Sequence, residues 1–177
     1  MQNDAKVVQA IENDSIFLLE SILKAGYDIN KPILIGEEYD LEDYDEVSLL
    51  SYAICNYASR ELIELLLSYG VNIHEVNSEG IGSLDVAIKY KRVEIVKLCI
   101  EKDFDLNKTK RKSGLTPLIL ASCFNDVEIA TILLKNGADV NGTDGSGLTA
   151  KDYAKKMGQK KMVEFLTDNG GKYNLYS

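Results

Sequence analysis

A short pattern recurs five times along this chain. "DAKVVQA", "EVSLLSYA", "GIGSLDVA", "GLTPLILA" and "GLTAKDYA" share one template. Its first slot holds Ala5, Ser48, Gly82, Thr116 and Thr149, at successive spacings of 43, 34, 34 and 33 residues. Val7, Leu50, Leu84 and Leu118 stand two places on, and Ala10, Ala53, Ala87 and Ala121 five places on. A period in this range means stacked supersecondary units, none of which can bury its apolar face alone.

The rest of each unit recurs too. "LLESILKAGYDIN", "LIELLLSYGVNIH", "IVKLCIEKDFDLN", "IATILLKNGADVN" and "MVEFLTDNGGKYN" align end to end. Each opens with apolar residues at helical spacing. Gly26, Gly70, Gly137 and Gly170 share one slot, as does Asp103 in the third unit. That slot is where a helix ends on a left-handed residue. Each unit closes on Asn30, His74, Asn107, Asn141 or Asn174. In "SGLTPLILASC", Thr116 reads as an N-cap, because Pro117 lacks an N–H and fits the first helical turn. Ala121 is small because a second helix must pack close behind it. The spacing therefore predicts helix-turn-helix units, each followed by a projecting loop.

These residues resemble the ankyrin repeat, a 33-residue unit carrying G-x-T-P-L-H-x-A and later G-A-D-V-N. The fourth unit, "GLTPLILASCFNDVEIATILLKNGADVN", matches almost throughout. The departures are the motif histidine, replaced by Ile119 and Asp85, and Pro117, alone at its position. Without that histidine, the family's usual hydrogen bonding between neighbouring turns is not expected. The resemblance implies an all-α solenoid and a non-catalytic protein-binding role. We read residues 1–177 as one domain. Its repeats span about 3–32, 46–76, 80–109, 114–143 and 147–176, with an insertion at 33–47 and the first and last repeats as caps.

The insertion, within "KPILIGEEYDLEDYDEVS", holds seven carboxylates interleaved with Tyr39, Leu41 and Tyr44. It reads either as a solvated, tolerated loop or as an acidic finger whose Tyr39, Glu42, Asp43, Tyr44, Asp45 and Glu46 meet a partner. Charge is uneven along the chain: residues 1–88 carry a net −13 and residues 89–177 a net +5. An acidic end attracts a basic partner and speeds association. A pI near 4.8 opposes general nucleic-acid binding. The basic "KTKRK", residues 108–112, is read as a solvated loop tip.

Chemistry is sparse. The sole histidine, His74, stands in a loop-closing slot and is read as structural. There is no HExxH, CxxC, EF-hand loop, GxGxxG or P-loop, so no metal, cofactor or catalytic residue is expected. Cys55, Cys99 and Cys123 are odd in number and widely spaced, which fits reduced thiols and a cytoplasmic location. No signal peptide or membrane span is read.

The positions two and three places after each alanine slot are expected to line a concave groove. Among them we single out Asn56, Lys89, Tyr90 and Phe124 as partner contacts, since exposed aromatics anchor binding hot spots. The functional expectation is a monomeric protein-binding module that uses this groove and its acidic N-terminal half. The alternative is an inhibitor or immunity-type protein that neutralises a basic effector. An enzyme, the third class, has no candidate catalytic group.

Overall fold

A computed structural model describes residues 2–35 and 45–174. Ten helices lie among them, in five pairs at the predicted period, so the fold class is the all-α repeat solenoid. Contacts divide the chain into two compact units, Met1–Ile73 and His74–Ser177.

The first unit holds α1 (Gln2–Glu12), α2 (Ile16–Lys24), α3 (Leu49–Cys55) and α4 (Arg60–Ser68). α1 packs on α2, α3 on α4, and α2 on α4. Ala10 and Ala53, in the small-residue slot, are wholly buried with Ile11, Leu19, Leu62, Ile63 and Leu66. Between the pairs, β1 (Ile33–Ile35) and β2 (Asp45–Val47) run antiparallel, with Ile33 opposite Val47 and Ile35 opposite Asp45. The insertion thus stands on a short hairpin base, where the sequence reading had only a loop. Pairing satisfies backbone groups at its feet, and the buried Ile33 side chain anchors it.

The turn inside each pair has one geometry. Its first residue is left-handed: Asp14, Tyr57, Lys91, Asn125 and Gly158 have φ between 48° and 70°. The next amide then donates back to the alanine slot, as in Ser15 N to Ala10 O (2.8 Å), Ala58 N to Ala53 O (3.0 Å) and Asp126 N to Ala121 O (3.0 Å). The second pair carries one additional residue here, Ser59. Its amide donates to Asp14 Oδ1 (2.8 Å) of the preceding turn, and its Oγ caps α4 by accepting from Leu62 N (3.2 Å). That residue makes the step from Ser48 to Gly82 34 residues rather than 33.

The second unit holds α5 (Ser83–Lys89), α6 (Val93–Glu101), α7 (Pro117–Cys123), α8 (Val127–Lys135), α9 (Ala150–Lys156) and α10 (Lys160–Asp168). The inner helices α5, α7 and α9 stack in order, and each packs on its outer partner. Thr116 and Thr149 cap α7 and α9 as read, accepting from Ile119 N (3.4 Å) and Asp152 N (3.2 Å). Ala87, Ala121 and Ala154 are fully buried. In the last repeat Lys151 occupies the slot that holds valine or leucine elsewhere and is 8% exposed. Its Nζ is satisfied by Gly171 O at 3.0 Å and lies 4.4 Å from the Tyr173 ring centroid.

Neighbouring turns are hydrogen-bonded despite the missing histidine. Asn107 donates to Gly137 O (2.9 Å) and accepts from Asp139 N (2.6 Å). Asn141 repeats the bridge, donating to Gly170 O (3.3 Å) and accepting from Lys172 N (2.8 Å). The closing asparagine of one repeat therefore reads the helix end of the next. His74, in the same slot, instead stacks on Phe104 with ring centroids 4.3 Å apart. Loops also touch directly. Gly80 and Gly114 have φ of +75° and +73°, and a Cβ on either would strike the backbone of the next loop, at Lys110 and Gly145 respectively.

Candidate partner-binding surfaces

The residues singled out from sequence fall into three groups. Tyr39, Glu42, Asp43 and Tyr44 lie outside the described residues. Asp45 and Glu46 are in β2, paired with Ile35 and Leu34, so the backbone before Val47 is extended and held by its partner strand. Asn56, Lys89, Tyr90 and Phe124 sit at the C-terminal ends of inner helices. Asn56, Tyr90 and Phe124 are the C-cap residues of α3, α5 and α7.

In the first unit Asn56 is exposed, and its Nδ2 donates to Tyr52 O (2.9 Å), satisfying a carbonyl of the last helical turn. Tyr52 in turn donates to Glu12 Oε1 (2.7 Å). Burial, reinforced by the Glu12 carboxylate, pushes the Tyr52 phenol well above its ordinary value. In the second unit, Lys89 Nζ lies 5.5 Å from the Tyr90 ring centroid. Phe124 ends the adjacent inner helix, and Met157 caps α9 in the corresponding place. Tyr90 and Phe124 are half-buried and Met157 is half-exposed, so one row of helix ends presents large apolar side chains to solvent.

The basic loop is exposed at Lys108, Lys110 and Lys112, as read, but its cations have partners. Lys108 pairs with Asp105 (3.4 Å), Arg111 with Asp85 (3.2 Å) and Lys112 with Glu79 (2.9 Å). Lys110 Nζ donates to His74 O (3.4 Å), and Lys112 N to Glu79 O (3.1 Å). The charges clasp the preceding turn and α5. Asp85, standing where the family motif has histidine, both receives Arg111 and caps α5 by accepting from Gly82 N (3.0 Å). Arg111 and Asp85 are 26 residues apart in sequence, and so local pattern does not reveal the pair.

Sequence reasoning also missed the exposed apolar side chains of the first unit. Phe17 is 85% exposed, Tyr57 66% and Ile16 40%. Ile16 and Phe17 open α2 just ahead of the apolar run that aligns with the other repeats, and Tyr57 occupies the left-handed turn position.

The described residues offer little reactive chemistry. None of their histidines, cysteines and carboxylates form a group of three or more placed to hold a metal ion. Burial pushes the Cys99 thiol up to about 12, and it raises Cys123 as well, so neither is a thiolate at neutral pH. A pocket of about 250 Å³ is lined by Asn141, Thr143, Thr149, Lys172, Tyr173 and Asn174. The amide of Asn141 is spent on the inter-repeat bridge, that of Asn174 donates to Gly147 O (2.7 Å), and the Thr149 hydroxyl caps α9. No helix among the described residues is long and apolar enough to cross a membrane.

A family model described as ankyrin repeats, in three copies, matches residues 84–177. The chain is 32% identical over 105 residues to glycerophosphocholine phosphodiesterase gde1 of Schizosaccharomyces pombe, an alignment covering 59% of this chain and 9% of that protein. It is 32% identical over 125 residues to the B-cell lymphoma 3 protein homolog of Mus musculus, covering 68% and 28%. It is 30% identical over 141 residues to phosphocholine transferase AnkX of Legionella pneumophila, covering 78% and 14%. The chain therefore spans less than a third of each relative, including the two that bear enzyme names.

Proposed function

Since the chain belongs to the ankyrin-repeat family, whose repeats are protein–protein interaction modules, we propose that it is a non-catalytic module that binds one partner protein. Lys89, Tyr90 and Phe124 form its contact row, and the acidic N-terminal half supplies attraction. What carries this reading is the row of helix ends in the second unit, where Tyr90, Phe124 and Met157 keep apolar surface in water. Aromatic groups so placed become anchors once a partner excludes solvent.

Residues 1–73 carry fourteen acidic and four basic groups, so the fitting partner has a basic surface. The insertion residues Glu42, Asp43, Asp45 and Glu46, with Tyr39 and Tyr44, belong to this contact. Asn56 contributes its exposed edge. The thiols are compatible with a cytoplasmic setting, and the module acts as a monomer. The same excess of acid favours a second reading, in which the partner is a basic effector and binding neutralises it.

The test is a quantitative pull-down from host lysate, comparing the parent with Tyr90→Ala/Phe124→Ala. Loss of one specific partner, with unchanged thermal stability, is the expected result. Equal recovery by both proteins would remove the groove. Association measured at two salt concentrations should slow as salt rises, since screening acts over about 8 Å at physiological ionic strength. An assay of the captured partner's own activity separates inhibition from scaffolding.

A further inference from the structure

We propose that the helix-turn edge of the first unit, formed by Ile16, Phe17 and Tyr57, is a docking surface for a cationic amphipathic segment of a partner protein. The turn holding Tyr57 and the Asp14 turn that leads into Ile16 and Phe17 at the start of α2 are neighbours, because Ser59 N donates to Asp14 Oδ1 at 2.8 Å. Three large apolar side chains, 40%, 85% and 66% exposed, thus lie on or directly beside adjoining turns. Single exposed hydrophobics need no explanation, whereas a gathered set does.

Tyr57 adds a second, independent sign. It holds φ of 58° at a position filled elsewhere by Asp14, Lys91, Asn125 and Gly158. An aromatic residue is unfavourable in that backbone region, where asparagine and glycine are at ease. Strain retained beneath an exposed ring points to use of the ring rather than to stability.

Charge selects the occupant. Asp14 immediately precedes the α2 cap, and Glu61 lies in the first turn of α4. The nearby cations Lys24 and Arg60 are engaged by Glu20 (2.9 Å) and Glu64 (2.9 Å). A second copy would bring the same carboxylates face to face, and nucleic acid or an anionic membrane would be repelled. Apolar side chains flanked by Lys or Arg satisfy both the patch and its rim. The proposal does not depend on the helix-end row of the second unit.

The probe is a fluorescent synthetic Leu-Lys amphipathic helix, titrated by anisotropy against the parent, Phe17→Ser, Tyr57→Asn and, as a control, Val76→Ser at an exposed apolar position of the second unit. Phe17→Ser and Tyr57→Asn should each weaken binding about tenfold, and Val76→Ser should leave it unchanged. Tyr57→Asn should melt no lower than the parent, which separates loss of contact from loss of fold. Should it melt lower, Phe17→Ser decides. Absence of saturable binding, equal affinity across all four proteins, equal binding of a Leu-Glu peptide, or recruitment to anionic vesicles through the same residues would each overturn the proposal. If only Tyr90→Ala and Phe124→Ala reduced peptide binding, the groove reading would stand and this one would fall.

Discussion

Leu133 and Leu134 are adjacent leucines in α8 that face different surroundings. Leu133 is fully buried, packed with Ile129 and Ala130 on the inward face, whereas Leu134 is half-buried. Truncating Leu133 to alanine removes three carbons from contact. At about 0.8 kcal/mol per methylene the transfer loss alone is roughly 2.4 kcal/mol. The cavity left between stacked repeats adds to it, giving about 3–4 kcal/mol within the usual range for buried leucines. Leu134→Ala gains the same helix propensity and loses only part of its burial, so it should cost under about 1 kcal/mol. Urea unfolding followed by far-UV circular dichroism measures both, and the difference cancels what the two substitutions share. For a chain of this size the buried variant should melt about 6–16 °C lower, at roughly 2–4 °C per kcal/mol. Equal losses from the two variants, or a larger loss from Leu134→Ala, would mean that the outer helix is rotated and the repeat register is wrong.

Other substitutions probe the loops. Gly80→Ala should cost about 1–3 kcal/mol, combining the positive φ with a clash on the Lys110 backbone. Gly26→Ala, with nothing near its would-be Cβ, should cost about 1 kcal/mol; the two melting curves test the difference. Asn107→Ala strips the bridge from Gly137 O and Asp139 N and should lose about 1–2 kcal/mol by denaturant titration. At Asp144, burial opposes the charge, but Tyr153 and the amides of Leu148, Ser146 and Gly147 outweigh it and hold the carboxyl below its ordinary value. A depressed carboxyl stabilises the fold above about pH 4 and loses that contribution as pH falls through its folded value. The stability gap between parent and Asp144→Asn, measured by urea titration from pH 7 to pH 3, should therefore narrow on acidification.

The repeat architecture is written locally, which is why it could be read. Ala10, Ala53, Ala87, Ala121 and Ala154 are each 0% exposed because two helices must meet there, and no side chain larger than a methyl fits. Asp103 takes the left-handed slot at φ 59°, as the glycine alignment required. What escaped the reading depends on partners distant in sequence. Arg111 looks like a free charge until Asp85, 26 residues earlier, comes into place. Ser59 looks like an ordinary helix-capping serine until Asp14, 45 residues earlier, explains the one-residue surplus. Phe17 lies in the apolar run "IFLLESIL", where helical period alone does not say which residue turns outward. The strand pair at the feet of the insertion was missed because Ile33 and Val47 are brought opposite each other only by closing an intervening segment of thirteen residues.

The asparagine bridges also set a timetable. Asn107 and Asn141 find their carbonyl acceptors 30 and 29 residues further along the chain. At a synthesis rate of roughly 5–20 residues per second, each amide emerges about 1.5–6 s before the group it is to bind. During that interval the newest repeat has its last side chain in place and no neighbour to receive it. The bond then forms in one direction, from the older repeat to the younger. A ribosome stalled within such a window would hold a chain whose leading edge is an unmatched amide, and each further repeat would move that edge forward by one.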